Sequence, residues 1–135
     1  MTAASPAVLD ASVLVRSVIE PHGAGARWVT AVDHGSVEGH SAVLVFSEAA
    51  NALLGYVRQG ILAPAEAAAA LDALVALPLR LHGAELASAA LLTAVDLGLS
   101  AYDGTYAALA ESLDAVLVTA DRRLAAAVRS SELVA

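Results

Sequence analysis

Four acidic residues are placed so that they could do chemistry together. Asp10 closes the short apolar run AVLD, and Asp121 closes AVLVTAD. Glu48 follows HSAVLV within FSEAANALL, and Asp103 follows Ser100 within SAYDGTYAAL. If the apolar runs are parallel strands, Asp10 and Asp121 lie at their carboxyl ends. Glu48 and Asp103 then lie in the first turns of helices whose N-termini point to the same edge. Sites in such sheets form beyond the carboxyl ends of the strands, so four carboxylates from distant parts of the chain are expected on one rim. Two carboxylates ~5 Å apart repel by about 3 kcal/mol at an effective dielectric of 20. Some of the four would protonate unless a cation joined them. An all-oxygen donor set suits Mg²⁺ or Mn²⁺ rather than zinc or copper. One or two such ions activate water and stabilise the leaving oxygen in an in-line phosphodiester displacement.

The elements that must position these acids follow from hydrophobic patterning. Residues 7–10 read as a buried strand and 11–19 as a helix stopped near Pro21 and Gly23. A second helix fits 24–34, ending at Gly35. HSAVLV, 40–45, reads as a strand, and FSEAANALLGYVRQ as the helix after it, closed by Gly60. Pro64 opens an alanine-rich helix at its first turn, where a missing N–H costs little. That helix stops by Pro78. LRLH, 79–82, reads as a strand, with helices over 84–97 and from the Ser100 cap to Leu113. The strand 115–119 is an unbroken apolar run ending in polar residues. A last helix covers RRLAAAVR, and ELVA forms an edge strand. Strands alternating with helices imply an α/β fold whose mostly parallel sheet is covered on both faces.

Composition bounds the reading further. The chain has 135 residues, which suits a single domain over 1–135. Apolar residues make up 59% and charged residues 16%, which excludes disorder. The longest stretch without Asp, Glu, Lys or Arg runs from Leu86 to Val95, too short for a membrane span of ~20 residues. The opening MTAASPAVLD has no basic segment and no long apolar segment, as expected for a cytoplasmic protein. There is no cysteine, so disulfides, thiolate zinc sites and cysteine nucleophiles are excluded. All seven basic residues are arginine, which excludes a Schiff-base or phosphate-cradling lysine. A formal charge of −7 argues against a general nucleic-acid binder, whose affinity comes from many basic contacts. It is compatible with acids gathered around a cation and with a basic protein partner.

Each acid also has a plainer reading. Asp10 and Asp121 are suited to cap the helices that follow them. Ser100 and Asp103 fit a capping box, and Glu48 fits a polar stripe with Asn51, Gly55 and Arg58. Four independent caps, however, have no reason to fall together at strand-end positions.

VLDASVLV at 8–15, VFSEAANAL at 45–53, LSAYDGTYAALAE at 99–111 and VLVTADRRLA at 116–125 resemble the four acidic blocks of the PIN domain. They are most similar to VapC-type toxin ribonucleases of bacterial toxin–antitoxin pairs, with the blocks in family order over nearly the whole chain. The resemblance implies a three-layer α/β/α sandwich and Mg²⁺- or Mn²⁺-dependent endoribonuclease activity. It places Asp10, Glu48, Asp103 and Asp121 at the metal-binding positions, Asp10 and Asp103 most directly. Ser12 and Thr119 match the hydroxyl positions beside the metal, orienting water or a carboxylate. It implies a small VapB-like antitoxin and a homodimer as partners; the net negative charge points to a shaped RNA substrate of the transfer or ribosomal class, and the short uncharged stretches to no membrane. Gly104 departs from the more usual alanine, which loosens that helix start without removing a ligand. A PIN-fold interaction module without activity is the alternative, against which all four acids stand.

The remaining candidates are weaker. His22, His34, His40 and His82 lack metal-ligand spacing and read as turn or surface residues. Arg16, Arg122 and Arg123 follow acidic strand ends and either fork onto phosphate or form solvated helix faces. Trp28 and Phe46 read as core or groove residues. Grooves between helices 11–19 and 24–34 and the alanine-rich 64–77 region are the expected antitoxin surface. A phosphoryl-aspartate receiver is excluded by the missing lysine, a haloacid-type phosphatase by Asp10-Ala11-Ser12, and a dinucleotide fold by the absence of G-x-G-x-x-G.

Overall fold

The computed structural model describes residues 4–134. Five strands, β1 (Ser5–Leu9), β2 (Val37–Ala42), β3 (Arg80–His82), β4 (Val116–Thr119) and β5 (Ser131–Leu133), form one sheet in the order β3-β2-β1-β4-β5. Every pairing is parallel. The strands are joined by α1 (Ala11–Ile19), α2 (Ala24–Asp33), α3 (Val45–Arg58), α4 (Pro64–Val75), α5 (Ala87–Leu97), α6 (Ala101–Leu113) and α7 (Arg122–Ala127). From β1 the chain moves outward through β2 to β3, then returns to place β4 on the other side of β1. The order therefore reverses between β1 and β4.

Side chains alternate across the central strands, as the two-residue period requires. Ala7 and Leu9 of β1 and Val118 of β4 join Val13, Leu14, Val32 and Leu74 on one face. Val8 and Leu117 join Leu86, Tyr106, Leu109 and Leu124 on the other. The result is a three-layer sandwich. Helix α3 completes the first layer by packing Ala49 and Leu53 against Val15 of α1, with Leu71 of α4 alongside. Helix α5 lies outside the second layer and packs chiefly on α6. Among the described residues no single helix is long and apolar enough to cross a membrane.

Most element positions agree with hydrophobic patterning, and β2 is the exception. The expected strand at 40–45 lies at 37–42, because its register is set by β1: Ser5 faces Val37 and Val8 faces His40. Ser41 Oγ donates to the Leu9 carbonyl (2.7 Å), fixing the end of that pairing. Gly39 hides the strand from propensity reasoning, yet a Cβ there would stand 2.8 Å from Val32 Cγ1. The shift also corrects the reading of two histidines. His40 is mid-strand and only 4% exposed, and its Nε2 stands 2.7 Å from Glu38 Oε1. Its Nδ1 stands 2.9 Å from His82 Nε2, so the pair joins β2 to the edge strand β3 rather than lying on the surface.

Gly104 is the second correction. A Cβ on it would sit 2.4 Å from the Ala90 carbonyl oxygen and 3.0 Å from Ala94 Cβ. The missing side chain lets α5 and α6 cross at close range instead of loosening the helix. Gly104→Ala is expected to cost about 1–3 kcal/mol by overpacking, read as a lower urea midpoint with an unchanged m-value. An unchanged midpoint would show that the crossing tolerates the methyl.

Candidate active site

The strand order reverses between β1 and β4, and open parallel sheets bind ligands in the crevice beyond the carboxyl ends of the strands at such a point. Asp10 follows β1 directly and is 6% exposed. Its Oδ1 accepts from Ser12 Oγ (2.5 Å) and from the Val13 N–H (3.2 Å), and its Oδ2 accepts from Thr119 Oγ1 (2.5 Å). Ser12 belongs to α1 and Thr119 ends β4, so this carboxylate ties the two sides of the crevice together. The hydroxyls are themselves held: Ser12 Oγ accepts from the Ala120 N–H (2.8 Å) and Thr119 Oγ1 from the Asp121 N–H (3.0 Å).

Three further acids border this centre. Ser100 caps α6, its Oγ accepting from the Asp103 N–H (3.1 Å), and sets Asp103 in the first turn. Glu48 lies in the first turn of α3 and accepts from the buried Tyr106 hydroxyl (2.6 Å). Asp121 caps α7, its Oδ1 accepting from the N–H groups of Arg123 (2.9 Å) and Leu124 (3.1 Å). The capping readings of Asp10 and Asp121 thus hold, and they do not compete with a site. Each cap leaves carboxylate lone pairs for another partner.

Burial and neighbouring charge raise three of the acids. Burial pushes the Asp10 carboxyl up from 3.8 to about 6, against its hydrogen bonds from Ser12, Thr119 and Val13, and the Asp103 charge adds to the rise. Burial raises Glu48 as well, opposed by the Tyr106 hydrogen bond and reinforced by Asp103. Asp103 is raised by burial and then by Asp121, with Ser100 and Arg123 opposing. Asp103 is therefore the hub that feels or acts on the other three. The side chains are not drawn in as a finished cage. Among the described residues no three Asp, Glu or His side chains are set to hold a metal ion as they stand.

Tyr106 is the residue that reading the sequence for acids overlooks. It lies three positions after Asp103, on the same helical face, and that spacing is the signal that could have found it. Arg123 Nη2 donates to the Gly98 carbonyl (2.6 Å), bracing the turn before α6. Arg16 is engaged with Glu20 at 3.4 Å on the outer face of α1.

The family model for the PIN domain matches residues 7–129. The chain belongs to the PIN domain family. Among solved structures, this PIN domain is similar to PAE2754 from Pyrobaculum aerophilum, at 29% identity and TM-score 0.76, over 94% of this chain and 82% of that one. VapBC2 from Rickettsia felis, bound to a promoter DNA fragment, matches at 12% identity and TM-score 0.70, over 96% and 99%. VapC20 from Mycobacterium tuberculosis, described as a sarcin–ricin loop cleaving toxin, matches at 17% identity and TM-score 0.61, over 90% and 94%. The last two share the fold. No curated protein matches the chain in sequence.

The buried Asp10 carboxyl gives the PIN domain a testable pH dependence. With its folded pKa raised, the unfolded chain releases the proton first as pH climbs. The stability associated with the protonated group is therefore full below about pH 4 and lost by the time pH passes about 6. The loss amounts to about 3 kcal/mol. Asp10→Asn, which keeps an acceptor for the hydroxyls, should gain on the parent by that amount between those limits. Urea unfolding in chelator at both ends of the range checks it, and a pH-independent difference would refute the burial penalty.

Proposed function

We propose that this PIN domain is a Mg²⁺- or Mn²⁺-dependent endoribonuclease toxin neutralised by a VapB-like antitoxin. The observation that carries the reading is the gathering of four acids at the carboxyl edge of the sheet, with Asp10 buried between Ser12 and Thr119; burial first, and neighbouring acids after it, raise Asp10, Glu48 and Asp103. Acids set against one another in this way serve a cation better than they serve stability.

The donor set fits a hard divalent ion: four carboxylates, two neighbouring hydroxyls, no thiol and no imidazole. Asp10 and Asp103 are the direct ligands, with Glu48 and Asp121 completing the set directly or through water. When bound, the ion supplies positive charge for the phosphodiester and makes water nucleophilic near neutral pH. The protein's own residues do the positioning. Ser12 and Thr119 aim both oxygens of Asp10, and Tyr106 holds one oxygen of Glu48, leaving the other free. Asp103 and Glu48 are half-buried and must turn toward Asp10 to close the set. Arg122, exposed in the first turn of α7, offers a guanidinium to a substrate phosphate.

The net charge of −7 denies the chain a general electrostatic grip on RNA, so selection falls to a shaped element of transfer or ribosomal RNA. The words used of the M. tuberculosis neighbour, a toxin that cleaves the sarcin–ricin loop, support that class. A solved structure from Klebsiella pneumoniae that shares the fold (13% identity, TM-score 0.60, over 93% of this chain and 95% of that one) is a toxin–antitoxin complex, which supports an antitoxin partner. Its docking surface is the groove of about 380 Å³ that Val18 of α1, Val29 and Asp33 of α2, and Ala73 and Leu77 in and after α4 help to line.

Purified protein should cut structured RNA with Mg²⁺ or Mn²⁺, leave 5′-phosphate ends, and stop in chelator. Asp103→Asn should lose at least ~100-fold in rate, the scale of removing a group that acts on the transition state. Metal at 100 times its dissociation constant should stabilise the parent by about 2.7 kcal/mol through linkage, an effect that the Asp10→Asn, Asp103→Asn double variant lacks. A double variant that cut as fast as the parent would sink the site assignment. Tyr106→Phe should raise the metal concentration for half-maximal cleavage by ~10-fold or more, while saturating metal restores the rate. An unchanged midpoint would show that the tyrosine does not position Glu48. Binding of the antitoxin with no cleavage under any metal would assign the chain to the interaction modules.

A further inference from the structure

The His40 and His82 pair lies outside the acidic rim and forms the middle of a longer series. His40 is level with Val8 of β1, and His82 is level with Ala42 of β2, so both rings stand on the second-layer face of the sheet. The series runs from Glu38 Oε1 through His40 and His82 to Glu85 Oε1, with separations of 2.7, 2.9 and 3.8 Å. The ring centroids are 5.2 Å apart, close to the most that a 2.9 Å nitrogen contact allows, so the two nitrogens point at one another. Arg80 stands 3.7 Å from Glu38. Helices α5 and α6, which pack on the turn 84–86 and on β2, carry Asp96, Asp103 and Glu111, and α2 packs on the other face of β2 with Arg27 and Asp33. Among the described residues, however, the two rings bond or pair only with each other, Glu38 and Glu85.

Proton positions follow from these partners. The hydrogen bond from His40 is the chief cause that holds the Glu38 carboxyl below its usual range, so Glu38 accepts and His40 Nε2 carries a proton. Glu85, held low by its own backbone N–H and that of Gly83, is charged as well. With both rings neutral, His82 Nε2 donates to His40 Nδ1, and the lone pair of His82 Nδ1 faces the Glu85 carboxylate. A first added proton goes to that nitrogen. It turns an opposed lone pair and carboxylate into an ion pair and leaves the other bonds in place. A second has only His40 Nδ1 to go to. Two N–H groups then meet head-on between two cations, where a hydrogen bond had been. We propose that His40 and His82 are a proton-operated clasp on the edge strand β3: one added proton keeps the rings joined, and a second parts them and frees the strand end. His40 is buried in mid-strand, whereas His82 is partly exposed at the sheet edge, so His82 is the ring that moves. Strand β3 has only three residues, and the Val43 N–H closes its pairing by donating to the His82 carbonyl (2.8 Å). Parting the rings opens that end of the sheet while β1, β4 and β5 stay paired.

Imidazole nitrogen NMR and amide exchange, followed from about pH 8 to about pH 4 on the chain alone without metal or RNA, test the clasp independently of any nuclease activity. The spectra show which ring nitrogens carry protons, and protection of the Val43 amide reports the strand end. Val43 should stay protected while the pair holds one added proton. Once His40 Nδ1 is protonated as well, that protection should fall by ~10-fold or more, with β1 keeping its own. His82→Gln still donates an N–H to His40 Nδ1, takes up no proton, and can turn its amide oxygen to a protonated His40. Val43 should therefore stay protected throughout in this variant. His22→Gln, in the exposed turn after α1, should behave as the parent. A pair that holds both added protons with Val43 still protected overturns the proposal. So does protection of Val43 that is constant over the whole range, is lost together with that of β1, or falls equally in His82→Gln.

Discussion

A carboxylate taken out of water between two parallel strands is the interaction on which the site and much of the local structure depend. Asp10 is buried at the end of β1, and its charge is tolerated because Ser12 and Thr119 each donate a hydroxyl and the first turn of α1 donates an amide. Those bonds do not cancel the desolvation, as the raised pKa shows. The protein keeps an unfavourable group at the carboxyl ends of β1 and β4, and the same group starts a helix and ties Ser12 of α1 to Thr119 of β4. Strain of this kind concentrates at functional sites because the surrounding fold over-determines it.

The second layer exists to bring Asp103 to that place. Ser100 starts α6 and Arg123 braces the turn before it. Gly104 lets α5 cross α6 with almost no gap. Tyr106, three residues on, reaches from the core to Glu48 on α3. One turn of helix thus carries an acid, the contact that seats the helix and the group that orients a second acid. The same close crossing leaves α5 no sheet to cover, so its outer side faces away from the chain's own core. The placing of Asp103 and the uncovered outer side of α5 are in this way products of one packing decision.

The histidines illustrate where pattern reading stops. Spacing along the chain gives no two of them a metal motif. It cannot say that His40 and His82, forty-two positions apart, meet across adjacent strands with Glu38 at the end of the series. That juxtaposition follows from the β1–β2 register. The register in turn reflects Gly39 passing under Val32 and Ser41 bonding to the Leu9 carbonyl, neither of which has a signature in propensity.

The sequence by itself determined the alternation of strands and helices and the caps at Asp10, Ser100 and Asp121, and it singled out four acids as candidates, because these depend on neighbours within a few residues. Tertiary structure decided which hydroxyls share Asp10, that Asp103 couples to the other three acids, that Tyr106 serves Glu48, and which helix faces remain uncovered. Those are contacts between residues distant in the chain. Their energies come from desolvation and close packing, which exist only once the sheet has ordered its strands.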